Sequence, residues 1–270
     1  MTKIKNKILI ILDGTEDLEN SLRVITETNL LKCDQIVLFF ILNPFNPITK
    51  GQEKEVLYND FVHDHGRRLA SLYIEKLEAM IYEKNKTIKV THNLVNSFEN
   101  IKRRLGLDDI DMTVSSIKVS SKLNYAFKQS KNINHLISMS KNLLIIPYDF
   151  LYKSNLKNNV LIAYSENDPP IDFDYLNHSF NIDKITFLYD KKSKLKMDEF
   201  IDDIPEKTNP IESLEISSNL SQHINILNED YNLIFLRESK KIGNFWKNFS
   251  KYSNYYLFDK KIPLFFWNES

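Results

Sequence analysis

Short apolar runs alternate with amphipathic stretches along the chain. Several runs are apolar throughout, which is typical of strands whose two faces are both covered by helices. In the first half these runs predict five β-strands, at residues 8–12, 35–42, 87–95, 111–115 and 143–146. Apolar positions at helical spacing lie between them, at Leu18, Leu22 and Ile25 and again at Leu69, Tyr73, Leu77 and Met80. This alternation predicts right-handed crossovers and a mostly parallel α/β sheet.

The second half repeats the same order in compressed form. Five further runs predict strands at residues 160–164, 184–189, 211–216, 233–236 and 264–267. The long helical region at 53–84 corresponds to a short connection at 191–207, so the repeat indicates a duplicated domain whose second copy has a shortened second helix region. Pro147 ends the fifth strand and a polar stretch follows it. We therefore predict domains at residues 1–150 and 158–270.

Composition narrows the class of protein. The 270 residues contain 36 Lys plus Arg and 36 Asp plus Glu, so no net charge attracts nucleic acid or an anionic membrane. Cys33 is the only cysteine, which excludes an internal disulfide framework and a thiolate zinc cluster. No run approaches the roughly 20 apolar residues of a membrane helix. We expect a soluble cytoplasmic protein without membrane or nucleic-acid partners.

Four segments carry a resemblance to a known family. They are residues 8–17 (ILIILDGTED), 34–42 (DQIVLFFIL), 143–147 (LLIIP) and 160–163 (VLIA). In this order and spacing they resemble a tandem universal stress protein. The resemblance implies a five-stranded, Rossmann-like parallel sheet of the adenine nucleotide α-hydrolase-like type in each half. It also implies that the halves pack as a pseudo-dimer through their last strands. The edge of strand 264–267 would then pair with the other half or with a second chain.

Many universal stress proteins bind ATP, and the resemblance indicates where such a site would lie. The matching positions are Asp13, Ile41, Ser116 and Ser130. In Asp13 the resemblance implies a carboxylate beside the adenine, at the strand end where open α/β sheets place ligands. An alternative interpretation is that Asp13 or Thr15 caps the first helix.

The phosphate loop of nucleotide-binding members has the form Gly, two residues, Gly, nine residues, Gly, then Ser or Thr. Here Ser116, Val119 and Gln129 occupy the glycine positions and only Ser130 matches. A β-branched valine disfavours the positive φ of such a loop and fills the phosphate space. Lysines at 118, 122 and 128 could still neutralise an anion. We predict that the first-half site is lost or weakened.

The second half departs further from the nucleotide-binding pattern. Ser165 stands where the first half has Asp13, and Gly243 is the only glycine after the fourth strand of this half. A single glycine before a helix is explained by a cap or a turn. We predict a structural half without a nucleotide site.

Other candidate sites are weaker. His63, Asp64 and His65 would diverge on a helix, where metal-binding histidines need a spacing of three or four. Cys33 is typical of a small buried or half-buried residue. Aromatic residues alternate with lysines at 245–256, which is typical of a core or interface stripe and, alternatively, of a stacking platform for single-stranded nucleic acid.

These observations predict a non-catalytic regulatory or interaction protein of the stress response, with no cofactor. It would act through an unknown protein partner or through self-association into an oligomer. The alternative is an ATP- or AMP-binding stress sensor that uses the first-half cleft. An enzyme on the same fold is a third class, but no Gly-x-Ser-x-Gly elbow or other catalytic constellation is present.

Overall fold

The computed structural model describes ten strands and four α-helices. It describes residues 6–12, 19–26, 28, 30–41, 53–95, 110–117, 142–147, 150, 157–164, 172–202, 204, 209–216, 231–237 and 261–267. The strands of the first half are β1 (Lys7–Leu12), β2 (Gln35–Ile41), β3 (Lys89–Val95), β4 (Met112–Ile117) and β5 (Asn142–Pro147). Those of the second half are β6 (Asn159–Tyr164), β7 (Lys184–Asp190), β8 (Ile211–Ile216), β9 (Leu233–Arg237) and β10 (Leu264–Trp267). The apolar runs therefore predicted the place and order of all ten strands.

The ten strands form one sheet in the order β3-β2-β1-β4-β5-β10-β9-β6-β7-β8. Every neighbouring pair is parallel except β5 and β10, which are antiparallel. The halves are thus joined edge to edge, with Leu264 opposite Ile145 and Trp267 opposite Asn142. This confirms the predicted α/β fold and the packing through the last strands. Because β10 pairs with both β5 and β9, its edge is not available to a second chain.

Equivalent hydrogen bonds in the two halves show the internal repeat. Asp34 precedes β2, and its Oδ2 accepts a hydrogen bond from the backbone N–H of Asn6, which precedes β1, at 3.3 Å. Asp183 precedes β7 and accepts one from the N–H of Asn158, before β6, at 2.7 Å. Three residues before each aspartate, Leu31 and Phe180 form an antiparallel bridge with each other. Corresponding segments of the two halves therefore meet across a pseudo-twofold axis.

The described helices differ in length between the two halves. They are α1 (Glu19–Thr26), α2 (Glu53–Lys84), α3 (Phe173–Ser179) and α4 (Lys194–Asp202), the last preceded by a 3-10 turn at Lys191–Ser193. Helix α2 has 32 residues and α4 has nine. In α1 the predicted core positions Leu22 and Ile25 are buried.

The buried face of α2 differs from the predicted one. Between residues 64 and 84, where its side chains are described, the buried residues are Ala70, Ile74, Leu77 and Ile81, whereas Leu69 is 53% exposed. Tyr73 and Met80 are only partly buried against the core. The predicted stripe and the buried stripe both have helical spacing, and both contain Leu77. The buried stripe begins with Ala70, whose small side chain lets the helix lie close to the sheet. Spacing alone did not distinguish the two stripes.

A cluster of aromatic rings fills the junction between the halves. Phe180 is fully buried, with ring centroids 5.2 Å from Phe235 and 5.1 Å from Phe265, both edge to face. The rings of Phe235 and Phe265 are 4.8 Å apart. Edge-to-face pairs of this kind add about 0.5–1.5 kcal/mol beyond the burial of their surface. The junction is therefore part of the hydrophobic core.

None of the helices in the described ranges combines the length and the hydropathy that crossing a membrane requires.

Candidate functional site

Neighbouring strands separate at the centre of each half. Strand β1 pairs with β4 only as far as Ile10 opposite Val114, yet it pairs with β2 as far as Leu12 opposite Phe40. Strand β4 in turn pairs with β5 as far as Pro147. The chain order reverses between β1 and β4, and open α/β sheets bind ligands at the carboxyl ends of the strands at such a point. The first half therefore has a crevice between β1 and β4 at the point where open α/β sheets bind ligands.

The second half has the same separation. Strand β6 pairs with β9 only as far as Ile162 opposite Phe235. It pairs with β7 as far as Tyr164 opposite Tyr189, and β9 pairs with β10 as far as Trp267. The two halves thus share the same backbone arrangement at these strand ends, although the residues that follow the strands differ in sequence.

The backbone places two of the four predicted site residues, Ile41 and Ser116, beside the first crevice. Ile41 is the last residue of β2, and Ser116 lies two residues beyond the last pair of β4 with β1. Asp13 follows directly after Leu12, the last residue of β1, and lies outside the described residues, as does Ser130. The cap predicted for Asp13 or Thr15, the lysines at 118, 122 and 128, Val119 and Gln129 also lie outside them. So do Ser165, Gly243 and the aromatic stretch 245–256.

The histidine candidate lies on α2. His63, Asp64 and His65 are consecutive helical residues, and the side chains of Asp64 and His65 are exposed. Residues one or two apart on a helix do not face each other. Because the segment is helical, the spacing of these histidines argues against a shared metal site.

Cys33 lies just before β2 and is half-buried against the core, as predicted. Burial and, to a smaller extent, the neighbouring Asp34 carboxylate together raise the pKa of its thiol to about 12. The thiol is therefore protonated at neutral pH. A protonated thiol is a poor nucleophile, so Cys33 does not have the environment of a reactive cysteine.

A second cavity lies at the opposite ends of the strands, and we call it the amino-end cleft. Its volume is about 490 Å³, and Asn6, Asp34 and Ile88, which line it, each precede one of the first three strands. His178 and Asn181 of the second half complete its wall. These residues come from distant parts of the chain, so no local sequence pattern indicated the cleft.

Comparison with known proteins gives a clear structural match. A universal stress protein from Archaeoglobus fulgidus DSM 4304 aligns with 98% of this chain and 97% of its own, with a TM-score of 0.65 and 14% identity. The chain has the fold of a universal stress protein. The universal stress protein UspA from Lactobacillus plantarum aligns over 53% of this chain and 97% of its own, at 7% identity and a TM-score of 0.39.

The universal stress protein fold also occurs in a different context. The cytoplasmic domain of a prokaryotic cation chloride cotransporter aligns with 97% of this chain and 95% of its own, with a TM-score of 0.50 and 8% identity. No family model matches the sequence, and no curated protein matches it either. The tandem universal stress fold predicted from four short segments is confirmed by the alignment over the whole chain.

Proposed function

We propose that this protein is a non-catalytic regulatory or interaction protein of the universal stress type, in which nucleotide binding has been lost or weakened. The observation that carries the proposal is the absence of glycine from the phosphate-loop positions at the β1–β4 crevice. Ser116, Val119 and Gln129 stand where backbone N–H groups need unhindered access to phosphate oxygens. The crevice of the strands is retained, but the chemistry that would hold a triphosphate is not.

The surface of α2 supports a role in interaction. Leu69 and Leu72 are three residues apart on one side of the helix and are 53% and 54% exposed. Contiguous exposed apolar surface marks interaction sites in many proteins. We propose that they take part in self-association or in binding a protein partner.

A calorimetric titration tests the loss of nucleotide binding. ATP and AMP, each with and without magnesium, should give no binding heat at about millimolar concentration, which corresponds to a binding free energy weaker than about −4 kcal/mol. Replacing Ser116, Val119 and Gln129 together by glycine should increase the affinity for ATP. Tight binding to the unmodified protein that Asp13→Ala abolishes would disprove the loss.

Sedimentation velocity over a concentration series tests association. We expect oligomers that dissociate when Leu69 and Leu72 are both replaced by lysine. Leu195→Lys is the matched control, because Leu195 is 77% exposed on α4 and lies on another helix. A monomer at every concentration would exclude self-association, so that only binding to a different protein would be left of the interaction proposal. Equal effects of both substitutions would exclude the α2 surface as the interface.

The alternative function is an ATP- or AMP-binding stress sensor. The separation of β1 from β4 favours it, because that crevice lies beside Ile41, Ser116 and the position that Asp13 follows. The same titration decides between the two functions, since a sensor must bind its nucleotide at cellular, that is millimolar or lower, concentration.

A further inference from the structure

The amino-end cleft is distinct from the crevice at the carboxyl ends of the strands. Strands β1 to β3 have six or seven residues, so the two sites lie about 20 Å apart along them. The first half contributes the segment after α1 and the end of α2, and the second half contributes His178 and Asn181. The cleft therefore exists only where the two halves are joined.

Hydrogen bonds between the halves hold the walls of the cleft in place. The backbone N–H of Lys32 donates to the carbonyl of Ser179 at 2.9 Å, and that of Asn181 donates to the carbonyl of Leu30 at 2.8 Å. The Nδ2 of Asn6 donates to the carbonyl of Lys32 and, at 3.5 Å, to that of His178. A site held by backbone hydrogen bonds is largely formed before a ligand arrives.

One part of the cleft wall is apolar, and the rest of the described lining is mostly polar or charged. The apolar part includes Ile25, Leu31, Ile81 and Ile88, whose exposed fractions lie between 0% and 7%. A cavity of about 490 Å³ is within the range that small organic ligands occupy, roughly 300–1,000 Å³. The apolar part of a small ligand would be removed from water there.

Two cationic side chains, Lys32 and Lys84, line the cleft beside this apolar part. Among the lining residues that the structure describes, Asp34 is the one carboxylate. The Nζ of Lys32 donates to the backbone carbonyl of Asn177 at 2.7 Å. In the part of the chain that the structure describes, neither lysine forms an ion pair with a carboxylate. The two lysines thus keep charge for an incoming anion.

Two buried polar atoms of the lining also lack partners. Within the described ranges, neither the Oδ1 of Asn6 nor the Nε2 of His178 has a hydrogen-bond partner. Asn6 is only 2% exposed. Buried polar atoms are nearly always paired, with protein, water or ligand. The wall at this point therefore has hydrogen-bonding capacity that the protein itself does not use.

We propose that the amino-end cleft binds a small organic anion, a carboxylate with a short apolar body. The body lies against the isoleucine and leucine side chains, and the carboxylate faces Lys32 and Lys84. Water or a ligand group completes the hydrogen bonding of Asn6 and His178. Burial of the apolar body supplies the affinity, and the lysines select the charge. The site is independent of nucleotide binding in the other crevice.

Cys33 makes the proposal testable, because it lines the cleft and is the only cysteine in the chain. The probe is sodium hexanoate, and the measurement is the rate at which iodoacetamide alkylates Cys33 at pH 9, followed by intact mass. With a dissociation constant of about 1 mM, hexanoate at about 10 mM should slow alkylation about tenfold, because only the unoccupied fraction reacts. Hexanamide and acetate at the same concentration and ionic strength should slow it less than about twofold.

Charge variants provide the control. Lys32→Ala combined with Lys84→Ala should reduce the protection by hexanoate to that by hexanamide. Lys191→Ala combined with Lys192→Ala should leave it unchanged, because these exposed lysines lie on the 3-10 turn before α4. The proposal would be overturned if hexanoate and hexanamide protected Cys33 from alkylation equally. It would also be overturned if hexanoate protected Cys33 equally in the two double variants. No protection at about 100 mM hexanoate would also overturn it.

The melting midpoint gives a second readout. Hexanoate should raise the midpoint of the unmodified protein, since a ligand that binds only the folded state stabilises it. It should not raise the midpoint once Cys33 is fully alkylated, because the added group occupies the cleft. A shift that persists after alkylation would place the binding elsewhere and overturn the proposal. ATP titrations of the same samples test the nucleotide proposal, and their outcome does not depend on whether hexanoate binds the amino-end cleft.

Discussion

The phenol oxygen of Tyr175 donates a hydrogen bond to the backbone carbonyl of Asp111 at 3.3 Å. Tyr175 lies on α3 in the second half, and Asp111 immediately precedes β4 in the first. The same ring lies 6.3 Å from that of Phe265 and 5.3 Å from that of Trp267, both on β10. One side chain therefore connects the helix of one half, the joining strand and the sheet of the other half.

Removing the hydroxyl of Tyr175 should weaken this connection without disturbing its packing. We expect Tyr175→Phe to lower the free energy of unfolding by about 0.5–1.5 kcal/mol, the usual contribution of one such hydrogen bond. Urea unfolding measures the change. Tyr82→Phe is the control and should have no effect, because Tyr82 is 42% exposed on α2. Equal losses in the two variants would show that the bond to Asp111 contributes nothing specific.

The same residue predicts a dependence on alkaline pH. Burial raises the pKa of the Tyr175 phenol well above its ordinary value of 10.0. A raised folded-state pKa means that this contribution to stability is complete below about pH 10 and is lost as the pH rises above it. We expect the stability of the unmodified protein to fall more steeply between about pH 9.5 and 11 than that of Tyr175→Phe. Parallel slopes would contradict the burial of the phenol.

Phe180 should be among the most sensitive core positions. It is fully buried, packs edge to face on Phe235 and Phe265, and pairs with Leu31 across the pseudo-twofold axis. We expect Phe180→Ala to cost about 3–5 kcal/mol of unfolding free energy, since the cavity cannot close between two halves. Phe173→Ala is the control and should cost less, because Phe173 is only partly buried. Chemical denaturation of both variants makes the comparison.

Gly66 offers a stabilising substitution. It lies inside α2, and apart from its chain neighbours and the nearby backbone of the helix, a Cβ atom built at this position has no described atom within 4 Å. We expect Gly66→Ala to increase helix content and stability by about 0.5–1 kcal/mol, because alanine loses less backbone entropy than glycine on forming a helix. Circular dichroism and urea unfolding measure both. The reverse change at exposed Ala79, Ala79→Gly, should destabilise by a similar amount.

Cys33 should react slowly in the folded protein. With its pKa raised to about 12, the thiolate fraction at pH 8 is roughly a thousandfold smaller than for an ordinary cysteine. We expect iodoacetamide to alkylate the folded chain about a thousandfold more slowly than the chain in urea. The unfolded chain serves as its own control. Rates within about tenfold of each other would mean that the thiol is accessible and acidic.

The order of the strands followed from the sequence because strand burial is a local property. Strands covered on both faces are apolar throughout, as in β1 and β5, whose described side chains are almost all buried. The repeat of this order predicted the duplication, and four short segments, with residues 8–17 foremost, predicted the universal stress fold. The missing glycines are likewise visible in the sequence, so the proposed loss of the phosphate loop does not depend on the tertiary structure.

Tertiary structure decided where distant segments meet. The antiparallel pairing of β10 with β5 excluded a second chain at that edge, which two isolated strands could not indicate. The choice of Ala70 over Leu69 as the buried position depended on how closely α2 approaches the sheet. The amino-end cleft required Asn6, Lys32, Lys84 and His178 to converge from separate elements. These residues meet because of the length of α2 and the way the two halves are joined. Neither property produces a periodic pattern in the sequence.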